Sequence, residues 1–309
     1  MPNSDHSTAW ISNLQHFSTG DGPGIRTTVF FQGCALHCAW CHNPETISSK
    51  SQLLYYEKSC QACGLCSAIC PAAAHTMQPD ETADKIHRFR RERCRFCGLC
   101  ARICPAHALT LSGQQMTLEA VYAFIEEDRA FYDSTQGGVT LSGGEPLLQP
   151  AFCGKLAQKC SENGIPVIID TSGAVPYEAF TAVLPYTDTF YYDLKAASEQ
   201  DYTAWTGGSL TQVLENLKKL HTDGGRITVR IPIIPGYQDT PEYCGKMAAL
   251  LTDVGIHSVH LLPFHRLGFS KYRALGLDNP CADLKPAARR KIEALRAAFP
   301  PHMDVSVED

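Results

Sequence analysis

Six segments rich in β-branched and aromatic residues recur along the chain, with helical segments running between them. The strand candidates are 25–33 (IRTTVFFQG), 138–143 (GVTLSG), 166–173 (PVIIDTSG), 188–195 (DTFYYDLK), 226–236 (RITVRIPIIPG) and 257–265 (HSVHLLPFH), a composition that suits a pleated surface. Within 117–133, Leu118, Val121, Phe124 and Ile125 fall at helical spacing, and 210–221 reads the same way. Such alternation implies parallel strands joined by right-handed crossovers, hence an α/β fold built as a barrel or as an open doubly wound sheet. Polar residues discriminate by position. Cys34, Cys38 and Cys41 follow the first strand and Gly143, Gly144 and Glu145 close the second; Asp170 and Thr171 lie on the third, Asp193 and Lys195 on the fourth, Arg230 on the fifth, and His265 ends the sixth. Barrel enzymes gather their chemistry on the face where strands end. Six units fall short of eight, so an incomplete (β/α)6 barrel with a lateral opening is expected, wide enough to admit something larger than a metabolite.

Eleven of the 15 cysteines fall in three groups, and Cys153, Cys160, Cys244 and Cys281 are scattered. The scattered four read as small buried thiols, since free cysteine is among the most buried residue types. The run FFQGCALHCAWCHNPE sets Cys34, Cys38 and Cys41 around His37 and Trp40, one thiol short of a closed tetrahedral or cubane site. CQACGLCSAICP carries Cys60, Cys63, Cys66 and Cys70, and its near copy CRFCGLCARICP carries Cys94, Cys97, Cys100 and Cys104. Both follow C-x2-C-x2-C-x3-C-P, the run of two-cluster ferredoxins, in which three thiolates hold one cubane and the fourth ligates the other. The crossed assignment is Cys60, Cys63 and Cys66 with Cys104, and Cys94, Cys97 and Cys100 with Cys70. A pair of zinc sites is the blander alternative, although zinc ribbons lack this ending. Between the copies, Lys85, Arg88, Arg90, Arg91, Arg93 and Arg95 stand against Glu92; they read as a solvated face or, more sharply, as a docking patch for an acidic electron carrier.

C-x3-C-x2-C with Trp40 before its last cysteine, followed by SGGEP at 142–146, resembles the two signatures of the radical S-adenosylmethionine (radical SAM) superfamily. More closely, STGDGPGIRTTVFFQGCALHCAWCHNPE (18–45), DTSG, DLK, IPIIPG and LLPFH resemble, in order, the glycyl radical enzyme activating enzymes, in the subgroup with a two-cluster ferredoxin-like insert. The resemblance covers essentially the whole chain. It implies a radical SAM partial barrel over 1–41 and 114–309 and a ferredoxin-like insert with two 4Fe-4S clusters over 42–113. It implies three [4Fe-4S] clusters in all. The one at Cys34, Cys38 and Cys41 leaves an iron open for S-adenosylmethionine, whose reductive cleavage gives a 5'-deoxyadenosyl radical that takes a hydrogen from a specific glycine of a partner glycyl radical enzyme. Trp40, Gly143, Gly144, Glu145, Asp170, Thr171, Asp193, Lys195, Arg230 and His265 are then cofactor-binding residues. Gly143 and Gly144 are expected at the methionine amino group, where a chain without Cβ comes close, and Glu145 is expected to organise their loop. Asp170, Thr171 and Asp193, with the Tyr191 backbone, resemble a monovalent cation site for Na+ or K+. Arg230 is expected near the ribose; Asp193, Lys195 and His265 carry the catalytic roles, Lys195 and His265 at the methionine end and the target loop.

The remaining expectations concern partners. The formal net charge of -5 gives no electrostatic case for nucleic acid or membrane binding. The N-terminus has no basic region leading an apolar run, and no apolar stretch approaches the roughly 20 residues that span a bilayer. A cytoplasmic, monomeric protein is expected, reduced by flavodoxin or ferredoxin, with the insert relaying the electrons. Two other readings stand beside it: a radical SAM enzyme acting on a small molecule or another protein residue, which an additional C-terminal domain would favour and which is not seen after residue 300, and a ferredoxin-type electron carrier.

Overall fold

The computed structural model describes residues 7–79 and 86–308. Lys85 of the basic run lies outside the described residues. The strands are β1 (Thr8–Ser18), β2 (Arg26–Phe31), β3 (Gln52–Tyr55), β4 (His75–Gln78), β5 (Ile86–Phe89), β6 (Leu109–Ser112), β7 (Gln114–Thr117), β8 (Gly138–Gly143), β9 (Val167–Thr171), β10 (Thr189–Asp193), β11 (Ile227–Ile233), β12 (Ser258–Pro263) and β13 (Asp304–Val307). The main sheet runs β13-β12-β11-β10-β9-β8-β2-β1-β7. Neighbours from β2 through β8 to β13 pair in parallel, whereas β1 pairs antiparallel with both β2 and β7. The fold is therefore α/β around a mostly parallel sheet, and each of the six expected strand segments contains one of its strands. β1, β7 and β13 extend the sheet beyond the six.

Alternation along β11 separates two faces. Ile227, Val229, Ile231 and Ile233 are buried while Thr228, Arg230 and Pro232 are only half-buried, so apolar side chains face the helical layer and polar ones the opposite side. Helix Leu210–Thr222 answers with Leu210, Val213, Leu217 and Leu220 on one buried stripe, and Ser209 caps its first turn by accepting from the Gln212 amide. The expected helix over 117–133 is two helices, Leu118–Glu126 and Arg129–Thr135. Asp128 causes the break: its buried carboxylate accepts from Thr27 Oγ1 at 2.5 Å and pairs with His16 Nδ1 at 2.8 Å. Leaving the helix lets it do so.

β3 pairs with β6 and β4 with β5, each as a separate two-stranded antiparallel sheet. This places 52–79 and 86–112 apart from the main sheet, which β7 rejoins. Arg91 ties the segment down, donating from Nη1 to the Leu53 carbonyl at 2.6 Å and from Nη2 to the Ala274 carbonyl at 2.8 Å. It is a half-buried strut, which removes it from the expected docking patch. Among the described residues no helix is long and apolar enough to cross a membrane.

Candidate functional site

The loop after β2 carries Cys34, Cys38 and Cys41. It is held by its backbone: Gly33 and Cys34 donate to the carbonyls of Thr46 and Ile47, and His37 and Ala39 to those of Thr206 and Trp205. Tyr272 Oη donates to the Cys41 carbonyl at 2.9 Å and the Cys281 thiol to the Ala39 carbonyl at 3.3 Å. Cys281 is buried, as are Cys153, Cys160 and Cys244. Trp40 is buried with Ile234, Phe264 and Cys281, its ring edge-on to Trp205 and Tyr237 at 6.0 and 5.4 Å.

A cavity of about 430 Å³ opens over the strand ends, within the range of ligand sites. The three thiols and Trp40 line it together with Gly143 and Gly144, Asp170 and Thr171, Asp193 and Lys195, Arg230 and His265. Of the expected residues for this site, Tyr191 does not line the cavity, and neither does Glu145. Its carboxylate is fully buried; Oε1 accepts from Thr171 Oγ1 at 2.8 Å and the Leu147 amide at 3.2 Å, and Oε2 from the amide and hydroxyl of Ser172 at 2.8 and 2.6 Å. It thereby locks the end of β8 to the end of β9. The Thr171 hydroxyl donates to Glu145, which fixes its direction, and Thr171 lines the cavity with Asp170 and Asp193. A Cβ on Gly143 would lie 2.2 Å from the Phe31 amide nitrogen, and one on Gly144 2.2 Å from the Gly33 carbonyl; the protein's own backbone demands glycine at both.

Register sets the charges. Asp193 lies opposite Arg230, and Tyr191 opposite both Asp170 and Thr228. Arg230 Nη1 is 3.5 Å from Asp170 Oδ1, and Nη2 is 3.3 Å from Glu308 Oε2. Lys195 Nζ is 2.6 Å from Asp193 Oδ2. Asp170 Oδ2 accepts from Ser142 Oγ, while Asp170 Oδ1 and Arg230 Nε are buried without a hydrogen bond. Burial raises the Asp170 carboxyl to about 6, with Arg230 opposing and Asp193 adding to the rise. Burial would lower Lys195, but Asp193 and Cys38 outweigh it and hold the ammonium well above its usual range. Burial also pushes the Cys34 and Cys41 thiols up to about 12, Glu145 adding to the first and Cys38 to the second, and raises Cys38. Thiols so placed release their protons to a metal rather than to water.

Sequence reasoning missed two neighbours. His265 is exposed at the cavity mouth and stacks on His42 at 3.9 Å. Burial, reinforced by His265, lowers His42 to about 4, and its place beside Cys41 was the only sequence signal. Glu308 had none. It follows β13 and binds Arg230 and His260.

Two further cavities lie in 52–112. One is lined by Cys60, Cys63, Cys66 and Cys104, the other by Cys94, Cys97, Cys100 and Cys70. Each run's last cysteine thus reaches across to the other run's cavity.

The radical SAM superfamily model matches residues 28–245. The trans-4-hydroxy-L-proline dehydratase activating enzyme of Clostridioides difficile is 39% identical over 94% of this chain and 95% of its own. The indoleacetate decarboxylase activating enzyme of Tractidigestivibacter scatoligenes is 35% identical over 95% of both, and the choline trimethylamine-lyase activating enzyme of Oleidesulfovibrio alaskensis 37% over 88% of both. A radical SAM methyltransferase from Sphaerobacter thermophilus shares the fold with a TM-score of 0.54, covering 96% of this chain and 76% of its own at 14% identity. The chain belongs to the radical SAM superfamily and, within it, to the activating enzymes of glycyl radical enzymes. Membership implies a [4Fe-4S] cluster and S-adenosylmethionine, and an enzyme that generates a radical from them. The donor set suits them: three thiols line the same cavity as Asp170 and Arg230, which carry buried polar atoms without a hydrogen bond.

Proposed function

We propose that this chain activates one glycyl radical lyase, dehydratase or decarboxylase, with the cavity over the strand ends as the shared site of cluster, S-adenosylmethionine and target glycine. The observation that carries the reading is the convergence of Cys34, Cys38 and Cys41 with polar residues from the ends of five more parallel strands in one cavity. Cavity walls drawn from both β2 and β12 support a sheet curved into an incomplete (β/α)6 barrel, formed by 1–41 and 114–309. When bound, the cluster and S-adenosylmethionine supply a 5'-deoxyadenosyl radical, which takes an α-hydrogen from glycine.

In this reading Cys34, Cys38 and Cys41 hold the cluster and Trp40 walls it. The Gly143–Gly144 backbone meets the methionine amino group, held in place by Glu145. Asp193 and Lys195 orient the methionine end, Arg230 the ribose, and His265 at the mouth meets the incoming glycine loop. A monovalent cation, Na+ or K+, would take Asp170, whose Oδ1 has no hydrogen bond beyond its ion pair with Arg230, together with Thr171, Asp193 and the Tyr191 backbone. The segment 42–113 is a ferredoxin-like insert whose eight thiols hold two more [4Fe-4S] clusters in the crossed pattern, three clusters in all; these supply one-electron chemistry fed by flavodoxin or ferredoxin. The reading carries with it a cytoplasmic monomer.

The test is anaerobic. Reconstituted protein given dithionite and S-adenosylmethionine should release 5'-deoxyadenosine, and Cys38→Ala should release none while keeping the insert's iron. Release by Cys38→Ala at the native rate would sink the assignment of the site.

A further inference from the structure

The segment 52–112 is a duplicated unit, and its two halves differ at the residues that face the thiols. Each position in the first half recurs 34 residues later, as Cys60 does in Cys94. The copies share backbone detail: Ala62 and Phe96 both have φ +51°, Gly64 and Gly98 φ +80° and +73°, and Ala73 and His107 φ +47° and +48°. Strand pairing obeys the same symmetry, with Leu53 opposite Leu111 in one sheet and His87 opposite Met77 in the other. Even the backbone donors to sulfur match. The Ala62 amide donates to Cys60 Sγ at 3.4 Å and the Phe96 amide to Cys94 Sγ at 3.3 Å.

Side-chain donors break the symmetry. His87 lines the cavity of Cys60, Cys63, Cys66 and Cys104, whereas its counterpart Leu53 lines the other. His87 Nδ1 is 3.8 Å from Cys60 Sγ and Nε2 is 3.6 Å from Cys66 Sγ. The Tyr55 hydroxyl is also set beside Cys60, and the counterpart of Tyr55 is Phe89, which has no hydroxyl. Behind His87 stands His75, buried, its Nδ1 2.9 Å from His87 Nε2. Each imidazole carries at least one N–H, in either tautomer or when protonated. A thiolate only accepts. Running His75 Nδ1–H to His87 Nε2 and His87 Nδ1–H to Cys60 satisfies two of the three contacts and leaves Cys66 without a donor from His87, and each bond of such a chain strengthens the next.

Resting on the two-cluster reading of 42–113, we propose that Tyr55 and His87 donate to the Cys60 thiolate and raise the reduction potential of the cluster held by Cys60, Cys63, Cys66 and Cys104, with His75 as the positioning residue that fixes the proton of His87. Hydrogen bonds to sulfur are among the levers that set iron–sulfur potentials, and they favour the reduced cluster because its sulfurs carry more negative charge. Each cluster takes up one electron, from flavodoxin or ferredoxin or, in the assay, from dithionite. Arg91 beside Cys94 acts in the same direction on the other cluster, so the donors set the first potential without ranking the two.

The test replaces each donor with what the other half already holds. Wild-type holoenzyme, Tyr55→Phe, His87→Leu and His75→Leu are titrated anaerobically against potential, followed by electron paramagnetic resonance, with iron, sulfide and zinc counted in each. Tyr55→Phe and His87→Leu should each move the same one of three midpoints downward and leave the other two in place, and His75→Leu should move that midpoint by less. Tyr55→Phe removes one oxygen and keeps the fold, so it decides the matter if His87→Leu fails to assemble. Three clusters' worth of iron with unmoved midpoints would overturn the proposal alone. Iron for a single cluster in the wild type would overturn the two-cluster reading beneath it. The donors of Cys66, His75 and His87 also lie within 4.8 Å of one another; one zinc per chain, lost in His87→Leu, would overturn the proposal in favour of a single-ion site.

Discussion

Glu145→Gln removes a charge and almost no volume, which isolates what the carboxylate does. Both oxygens of Glu145 accept, each from one fixed backbone amide and one hydroxyl: Leu147 N and Thr171 Oγ1 on Oε1, Ser172 N and Oγ on Oε2. A glutamine amide keeps one acceptor and turns the other position into a donor. Whichever way it is placed, one backbone N–H then faces an N–H across about 3 Å of dry interior, whereas the hydroxyl beside it can rotate to accept. A buried donor left unmade costs about 1–3 kcal/mol, so Glu145→Gln should lose about that much. Glu145→Ala leaves both amides unmade, about 2–6 kcal/mol by the same count. Urea unfolding of the reconstituted protein at constant slope reads the difference as a shift in midpoint. Calorimetry with S-adenosylmethionine should show weaker binding in both variants, because the Leu147 amide anchors the turn after Gly144. Glu145→Gln within about 0.5 kcal/mol of wild type, the range of an uneventful surface change, would refute the reasoning.

Gly144→Ala drives a Cβ to 2.2 Å from the Gly33 carbonyl, next to Cys34, and should cost one cluster's worth of iron while the insert's iron survives. Arg230→Gln strips the counter-charge from Asp170 and Glu308 and should destabilise by about 2–4 kcal/mol, somewhat below the cost of breaking a fully buried pair, measurable by thermal unfolding. Asp170, raised from 3.8 to about 6, binds more protons folded than unfolded between those values, so its contribution to stability falls as pH rises from 4 to 6; without S-adenosylmethionine, Asp170→Asn should flatten that part of the wild-type profile. Trp40→Ala empties the cluster of Ile234, Phe264 and Cys281 and should cost about 3–5 kcal/mol, with faster loss of iron on dilution.

What the sequence disclosed was what its local pattern encodes. Six of the seven strands of the parallel run announced themselves by β-branched runs, and the thiols by spacing that the chain cannot disguise. β1 was silent because its alternation, with His16 and Gln15 among apolar residues, reads as surface until β2 and β7 flank it. Glu308 joined the site only because β13 adds beside β12, a pairing with no local signal. The helix over 117–133 carried the right period and still broke, since the partners of Asp128 lie about 100 residues earlier. Gly143 and Gly144 have a further reason to be glycine that the sequence did not show: the backbones of Phe31 and Gly33 crowd them. The same long-range geometry turned Thr171 toward Glu145 and Arg91 into a strut.

The account stands or falls on where one hydrogen goes. Candidate glycyl radical enzymes, such as the dehydratase, decarboxylase and lyase types, can be prepared with α-deuterated glycine and incubated anaerobically with the reduced protein and S-adenosylmethionine. The prediction is a glycyl radical signal on one partner, with deuterium from its glycine recovered in 5'-deoxyadenosine in matching amount. Deoxyadenosine that stays unlabelled, with every partner free of radical, would contradict the claim that a partner's glycine is the substrate.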